Sequence, residues 1–151
     1  MLVLPEDDAN KELANGFWLQ VDWTRQRQMQ VLPVAGGWNE VLERFKSDHV
    51  MEMERRLERF MVLLIDFDGK PSRLTTAKNA IPGHLADRVF VLGAWSRPED
   101  LKAALGPYER IGQAMADDCR NATHVTWGHQ LLQHNASELQ RLRQRVCAIL
   151  F

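Results

Sequence analysis

The sequence predicts an α/β fold, in which a parallel sheet of about four strands is flanked by helices and followed by a helical carboxyl-terminal extension. Three observations predict it. Short apolar runs rich in β-formers alternate with helix-length segments, and strands alternating with helices at this spacing build parallel sheets. The run Met61-Val62-Leu63-Leu64-Ile65 is apolar at every position, which is the pattern of a strand covered on both faces. Each run also ends in an acidic, glycine-rich or polar turn: Glu6-Asp7-Asp8, Gly36-Gly37, Asp66-Phe67-Asp68-Gly69 and Trp95-Ser96-Arg97.

Taken in order, Leu2-Val3-Leu4 forms the first strand, and Asn10 starts a helix through Glu12, Leu13 and Ala14 to Trp18. Met29 to Ala35 is the second strand, broken by Gly36-Gly37. A long amphipathic helix follows, with Val41, Leu42 and Phe45 on one face and Val50, Met53 and Leu57 continuing it. Phe60 to Ile65 is the third strand. A polar connection punctuated by Pro and Gly and carrying Lys70, Arg73 and Lys78 leads to the fourth, Arg88 to Gly93. Pro98-Glu99-Asp100-Leu101 opens the next helix, since Pro is tolerated in a first turn and acids suit the positive end of the helix dipole. Tyr108 to Cys119 carries Ile111, Met115 and Cys119 on one face, and Leu131 to Phe151 carries Leu139, Leu142, Val146 and Leu150 at helical spacing. The chain reads as one domain over 1–151, with a core spanning about 1–105 and a helical extension over about 106–151.

Composition excludes several classes of function. With 151 residues and 45% hydrophobic content, the chain supports one real core. A formal net charge of −1 supplies no global field for nucleic acid or anionic membrane, so any contact with nucleic acid requires a local patch or another subunit. No apolar run is long enough to span a membrane, and the amino terminus is acidic where a signal peptide is cationic, so a cytoplasmic, non-membrane protein is expected. Cys119 and Cys147 are far apart and form no C-x-x-C, which argues against a disulfide framework and against a cysteine zinc site.

In a parallel sheet all strand ends meet at one edge, where ligands of open α/β sheets sit. Asp66 and Asp68, two apart on a strand, are expected to project to the same side. Two like charges held together repel, and a hard cation such as Mg²⁺ or Mn²⁺ resolves the conflict. Glu6 belongs to three successive acids, more than a helix cap requires, and Glu99 adds a further acid after strand four. His124, His129 and His134 recur every five residues, a spacing that walks around a helix instead of forming one ligand face; Trp127 with His129, His134 and Asn135 reads as a packed, hydrogen-bonded corner. Arg141, Arg143 and Arg145 read as a solvated helix face.

The order of an acid closing strand one, a Gly-rich turn after strand two and Asp-x-Asp closing strand three resembles the Toprim domain of topoisomerases, primases and overcoming-lysogenization-defect nucleases. The resemblance spans roughly Leu2 to Leu105. It implies a Rossmann-type sheet and Mg²⁺-dependent action on nucleic acid phosphodiesters, as a nuclease or nuclease subunit. It implies a general acid or base at Glu6 and metal ligands at Glu6, Asp66, Asp68 and Glu99. Gly36 and Gly37 correspond to the Gly-containing turn beside the acidic site, and with Lys70, Arg73 and Lys78 they form the expected phosphate contacts. The chain departs from the family in having Asp7 where Gly usually follows the Glu, with Pro5 before it.

Glu6-Asp7-Asp8 with Asp66 also resembles the acidic cluster of receiver domains, which bind Mg²⁺ at the same strand ends. Strand four ends in Gly93-Ala94-Trp95, however, where a receiver has Ser or Thr. A different class of function is a non-catalytic interaction or regulatory module using the same acidic edge. Nucleic acid, a protein partner and a second copy of the chain are the partner classes left open.

Overall fold

The structure, a computed structural model, describes residues 1–151. Strand β1 (Leu2–Pro5) lies between β2 (Gln30–Val31) and β3 (Met61–Leu64), and β3 pairs with β4 (Val89–Leu92). All pairings are parallel, in the order β2-β1-β3-β4, with Leu4 opposite Leu63 and Leu63 opposite Val91.

Alternation along the strands divides the core into two apolar clusters, one on each face of the sheet. Leu4, Met61, Leu63, Val89 and Val91 bury against one helical layer: α2 (Trp38–Arg44), α3 (Val50–Arg55) and α4 (Pro71–Asn79). A π-helical turn, Phe45–His49, joins α2 to α3 in one run, but that run ends at Arg55, so Leu57, expected to continue its apolar face, lies beyond the helix and is exposed. Val3, Val62, Leu64, Phe90 and Leu92 bury against the other layer: α1 (Asp8–Leu19), α5 (Pro98–Leu105), α6 (Tyr108–Asn121), α7 (Ala136–Leu142) and α8 (Ala148–Leu150). The result is a three-layer α/β/α fold whose sheet is buried on both faces. No helix is long and apolar enough to cross a membrane.

Three expected elements differ. The second strand is expected over Met29 to Ala35, but the ladder holds only Gln30–Val31. Pro33 cannot donate, and the chain continues beside β1 through single bonds from Leu32 to Val3, Ala35 to Pro5 and Gly36 to Glu6. The polar connection after Asp68 contains α4, which buries only Ala77 fully and therefore lacks the apolar stripe that reveals a helix. The last helix starts at Ala136 instead of Leu131, after a 3₁₀ turn at Gln133–Asn135.

Side chains finish the outer edge of β4. Asn135 Oδ1 accepts from the Gly93 N–H at 3.2 Å while its Nδ2 donates to the Gly93 carbonyl at 2.8 Å, and Glu138 accepts from the Val91 N–H at 3.4 Å. Buried Glu138 is balanced by Lys78 at 3.0 Å and Arg141 at 2.7 Å. An edge so covered cannot add another strand.

Asp118 organises the loop after α6. Burial raises its pKa, but the Thr123 hydroxyl and the N–H groups of Trp127, Thr126 and Val125 outweigh burial and hold the carboxyl below its ordinary range. A lowered folded pKa means stability that is present above about 3.8 and is lost as the pH falls through the folded value. Asp118→Ala is expected to lose about 3 kcal/mol at pH 7 in urea melts, with a smaller difference from wild type at acid pH.

Candidate functional site

The site begins with how β1 and β3 end. The Glu6 N–H donates to the Leu64 carbonyl, the Gly36 N–H donates to the Glu6 carbonyl, and the Asp66 N–H donates to Glu6 Oε2, each at 2.9 Å. Gly36, with φ 103°, takes a conformation that a side chain would strain. Glu6 is thus held by its main chain and its carboxylate between the β3 exit and the Gly36 turn. The Gly36 N–H is consumed in that role and is not aimed at a phosphate.

Asp66 is 4% exposed. Its Oδ2 accepts from Asn10 Nδ2 at 2.8 Å, and Asn10, fully buried, also bonds Asp7 Oδ1 through its side chain at 3.1 Å and its main chain at 2.9 Å. Asp7 caps α1, so the first helix begins two residues before its expected start at Asn10. The cap aims Asn10 at Asp66. Burial raises the Asp66 pKa to about 7, with the Asn10 bond opposing and the charges of Glu6 and Asp7 adding to the rise. Burial also raises the Glu6 carboxyl, opposed by the Asp66 N–H and Arg73 and reinforced by Asp7 and Asp68.

Asp68 departs from expectation. Main-chain bonds to β4 and the residues after it continue past Leu64 as far as Phe67, whose N–H bonds the Ala94 carbonyl at 3.0 Å, and the extended run breaks only at Asp68, so strand alternation does not carry Asp68 to the side of Asp66. Asp68 has φ 49° and its carboxylate pairs with Arg73 at 2.7 Å. Arg73, a positively charged clamp on the turn, also donates to the Asp66 carbonyl at 2.8 Å and stacks over Trp38 at 5.2 Å. Lys70 is exposed at the start of α4, whereas Lys78 lies on Glu138 beside β4, away from the acidic edge. Glu99 is exposed in the first turn of α5. With Asp7 and Asp66 it adds to the rise that burial produces in the Tyr108 pKa, so it borders the site without joining its centre.

No protein-family model, curated protein or solved structure matches this chain. The chemistry of the site therefore rests on its own residues.

Six buried side-chain polar atoms have no partner: Asn10 Oδ1, Asp66 Oδ1, Ser96 Oγ, both His134 ring nitrogens and Arg143 Nε. All but the last lie on segments at the carboxyl edge of the sheet, because His134 packs on Phe67 and Trp95 with ring centres 5.0 and 5.2 Å away. Such atoms are rare in folded proteins, and most of those present gather at this one edge. Burial holds His134 near pKa 4, so its ring is neutral. The three histidines do not converge: His124 meets Arg143, His129 accepts from the Leu131 N–H, and His134 joins the aromatic cluster.

No group of three or more His, Cys, Asp or Glu is gathered closely enough to hold a metal ion. Glu6 and Asp66 nevertheless bring two carboxylates to this edge, Asn10 Oδ1 and Asp66 Oδ1 are unpartnered, and Mg²⁺ is commonly held through one or two carboxylates. That donor set fits a hard divalent ion, whereas Asp68 is committed to Arg73. Asn10 and Tyr108 escaped the sequence reading. Asn10 has a weak signal in its position three residues after Asp7, the spacing of a cap; Tyr108 has none, because a helix residue reaches this edge only through packing.

Proposed function

We propose that this chain is a Toprim-like, Mg²⁺- or Mn²⁺-dependent cytoplasmic protein acting on nucleic acid phosphodiesters, as a nuclease or a nuclease subunit. The observation that carries the reading is the buried Asp66 carboxyl beside Glu6, with one oxygen unpartnered and a pKa raised to about 7. Glu6, Asp66 and the Asn10 carbonyl oxygen would hold the cation, which supplies charge neutralisation for phosphate oxygens and acidifies water. Glu6 is the proton-moving group, since its half-buried carboxyl has a raised pKa and sits at the mouth of the site. Asn10 orients Asp66, and Lys70 offers a charge to the substrate backbone.

Arg73 favours a second reading. By neutralising Asp68 it leaves an acidic edge that is stable without metal and suited to a non-catalytic partner, whether a protein or a second copy of this chain.

Incubation with single- and double-stranded DNA and RNA in Mg²⁺ or Mn²⁺ tests the proposal. Cleavage is expected to require the metal, to fall at least about 100-fold in Glu6→Gln, and to weaken as salt rises. Calorimetric titration of Mg²⁺ should give binding to wild type and none to Asp66→Ala. Absence of metal binding rejects the catalytic reading, and metal binding without cleavage of any substrate favours the interaction module.

A further inference from the structure

The two faces of the sheet are not packed alike. Along β3, Met61 and Leu63 on one face are 0% exposed, whereas Val62 and Leu64 on the other keep 4% and 6%. On that second face, between the sheet and the helices α1 and α6, lies a cavity of about 40 Å³ lined by twelve residues, all of them apolar. Protein interiors hold few voids larger than a water molecule. Leu13, Ala14 and Phe17 supply its α1 wall. Trp127 belongs to the lining too, but its one polar side-chain atom is committed, Nε1 donating to the Met115 carbonyl at 3.0 Å. A void with no free donor or acceptor has nothing to hold water and stays dry.

The fold keeps this void open. Helices α1 and α6 touch main chain to main chain, since a Cβ at Gly16 would overlap the Glu109 carbonyl and a Cβ at Gly112 the Leu13 carbonyl. The start of α1 is pinned separately, by the Asp7 cap and by the bond from Asn10 to Asp66. These contacts set the position of α1 independently of the side chains beneath it, so the wall does not collapse and the lining lacks the dispersion contacts of a filled core. Three of the lining residues are methionines, Met1, Met29 and Met115, whose unbranched side chains adapt to an occupant. Met1 is the one lining residue that is not buried, which puts the entrance beside it.

We propose that this cavity is a binding site for a small hydrocarbon, a ligand with no polar group. A water-sized group needs about 10–15 Å³ of such space, so the cavity takes roughly three carbons. Binding restores the contacts that the lining lacks, and exclusion of polar analogues follows from the want of any partner for a hydroxyl or an amine. The site rests on packing alone and holds whether or not the acidic edge binds a metal.

The test titrates propane into the full chain and follows isotopically labelled methionine methyl groups by NMR. Met1, Met29 and Met115 should shift along a saturating curve. Met53 and Met61, in the filled core on the other face, and Met51, exposed, should stay in place. Ethanol, with the same three heavy atoms, should give no saturable shift, because its hydroxyl would be buried without a partner. Ala14→Val, which adds two carbons to the helical wall, should weaken propane binding at least about fivefold. Val62→Ile adds one carbon from the sheet and gives a second reading should the helix variant not fold. Propane should also raise the wild-type Tm, and raise it less in either variant. The proposal is overturned if the shifts grow linearly with propane and are as large at Met51 as at Met29 and Met115. It is equally overturned if a folded, filled variant keeps the wild-type curve, or if ethanol binds as propane does.

Discussion

Asp66→Asn is expected to make the metal-free protein more stable at pH 8 while abolishing its response to Mg²⁺. The folded pKa of Asp66 is about 7 against an ordinary value of 3.8. A raised carboxyl stabilises the fold fully below the unfolded value, and that contribution is lost as the pH rises through the folded value. At pH 8 the wild type thus carries a buried charge beside Glu6 and Asp7, a penalty of about 4 kcal/mol if the whole shift is realised. Asparagine keeps an acceptor for Asn10 and removes the buried charge. The variant should gain about 2–4 kcal/mol over wild type at pH 8 in chemical denaturation and nothing near pH 4. Saturating Mg²⁺ should raise the wild-type Tm and leave the variant unmoved, since a ligand stabilises only by binding the native state. Lower stability of Asp66→Asn at pH 8 would make Asp66 a structural hydrogen-bonding group and remove the main support for a cation site.

Gly93→Ala is expected to abolish folding. A Cβ at position 93 would lie 1.6 Å from the Ile65 carbonyl oxygen and 2.6 Å from its carbon, and both are main chain. The chain cannot yield there: the Ile65 N–H is bonded to Leu92 at 2.9 Å, the Phe67 N–H to Ala94 at 3.0 Å, and Asn135 holds both main-chain groups of Gly93. Moving these segments apart would disrupt the loops that carry Asp66, at a cost above about 5 kcal/mol, comparable to the whole stability of a small domain. Gly83→Ala, with open space around its position, serves as the control and should be neutral within about 0.5 kcal/mol. Soluble yield and far-ultraviolet circular dichroism of the two variants provide the comparison. A cooperative melt of Gly93→Ala near the wild-type Tm would show that the edge is more yielding than its hydrogen bonds imply.

The sequence by itself determined the sheet, its parallel sense and the edge to inspect. Met61 to Ile65 is apolar without interruption because both faces are covered, and burial on both faces is legible locally, residue by residue. Glu6 and Asp66 were legible for the same reason: each lies at the end of such a run, and parallel pairing brings those ends together. Tertiary structure decided the remaining roles. Asp68 and Arg73 form a pair because the backbone turns left-handed at Asp68 and bends back, which no spacing rule states. Helix α4 has too little buried surface to leave a periodic signal, and Lys78 was removed from the site by its partner Glu138, sixty positions later. Asn10 met Asp66 only once helices had packed on one face of the sheet. Periodicity records what each residue does with solvent; which distant polar groups meet depends on chain path and packing, and that information exists only in the folded molecule.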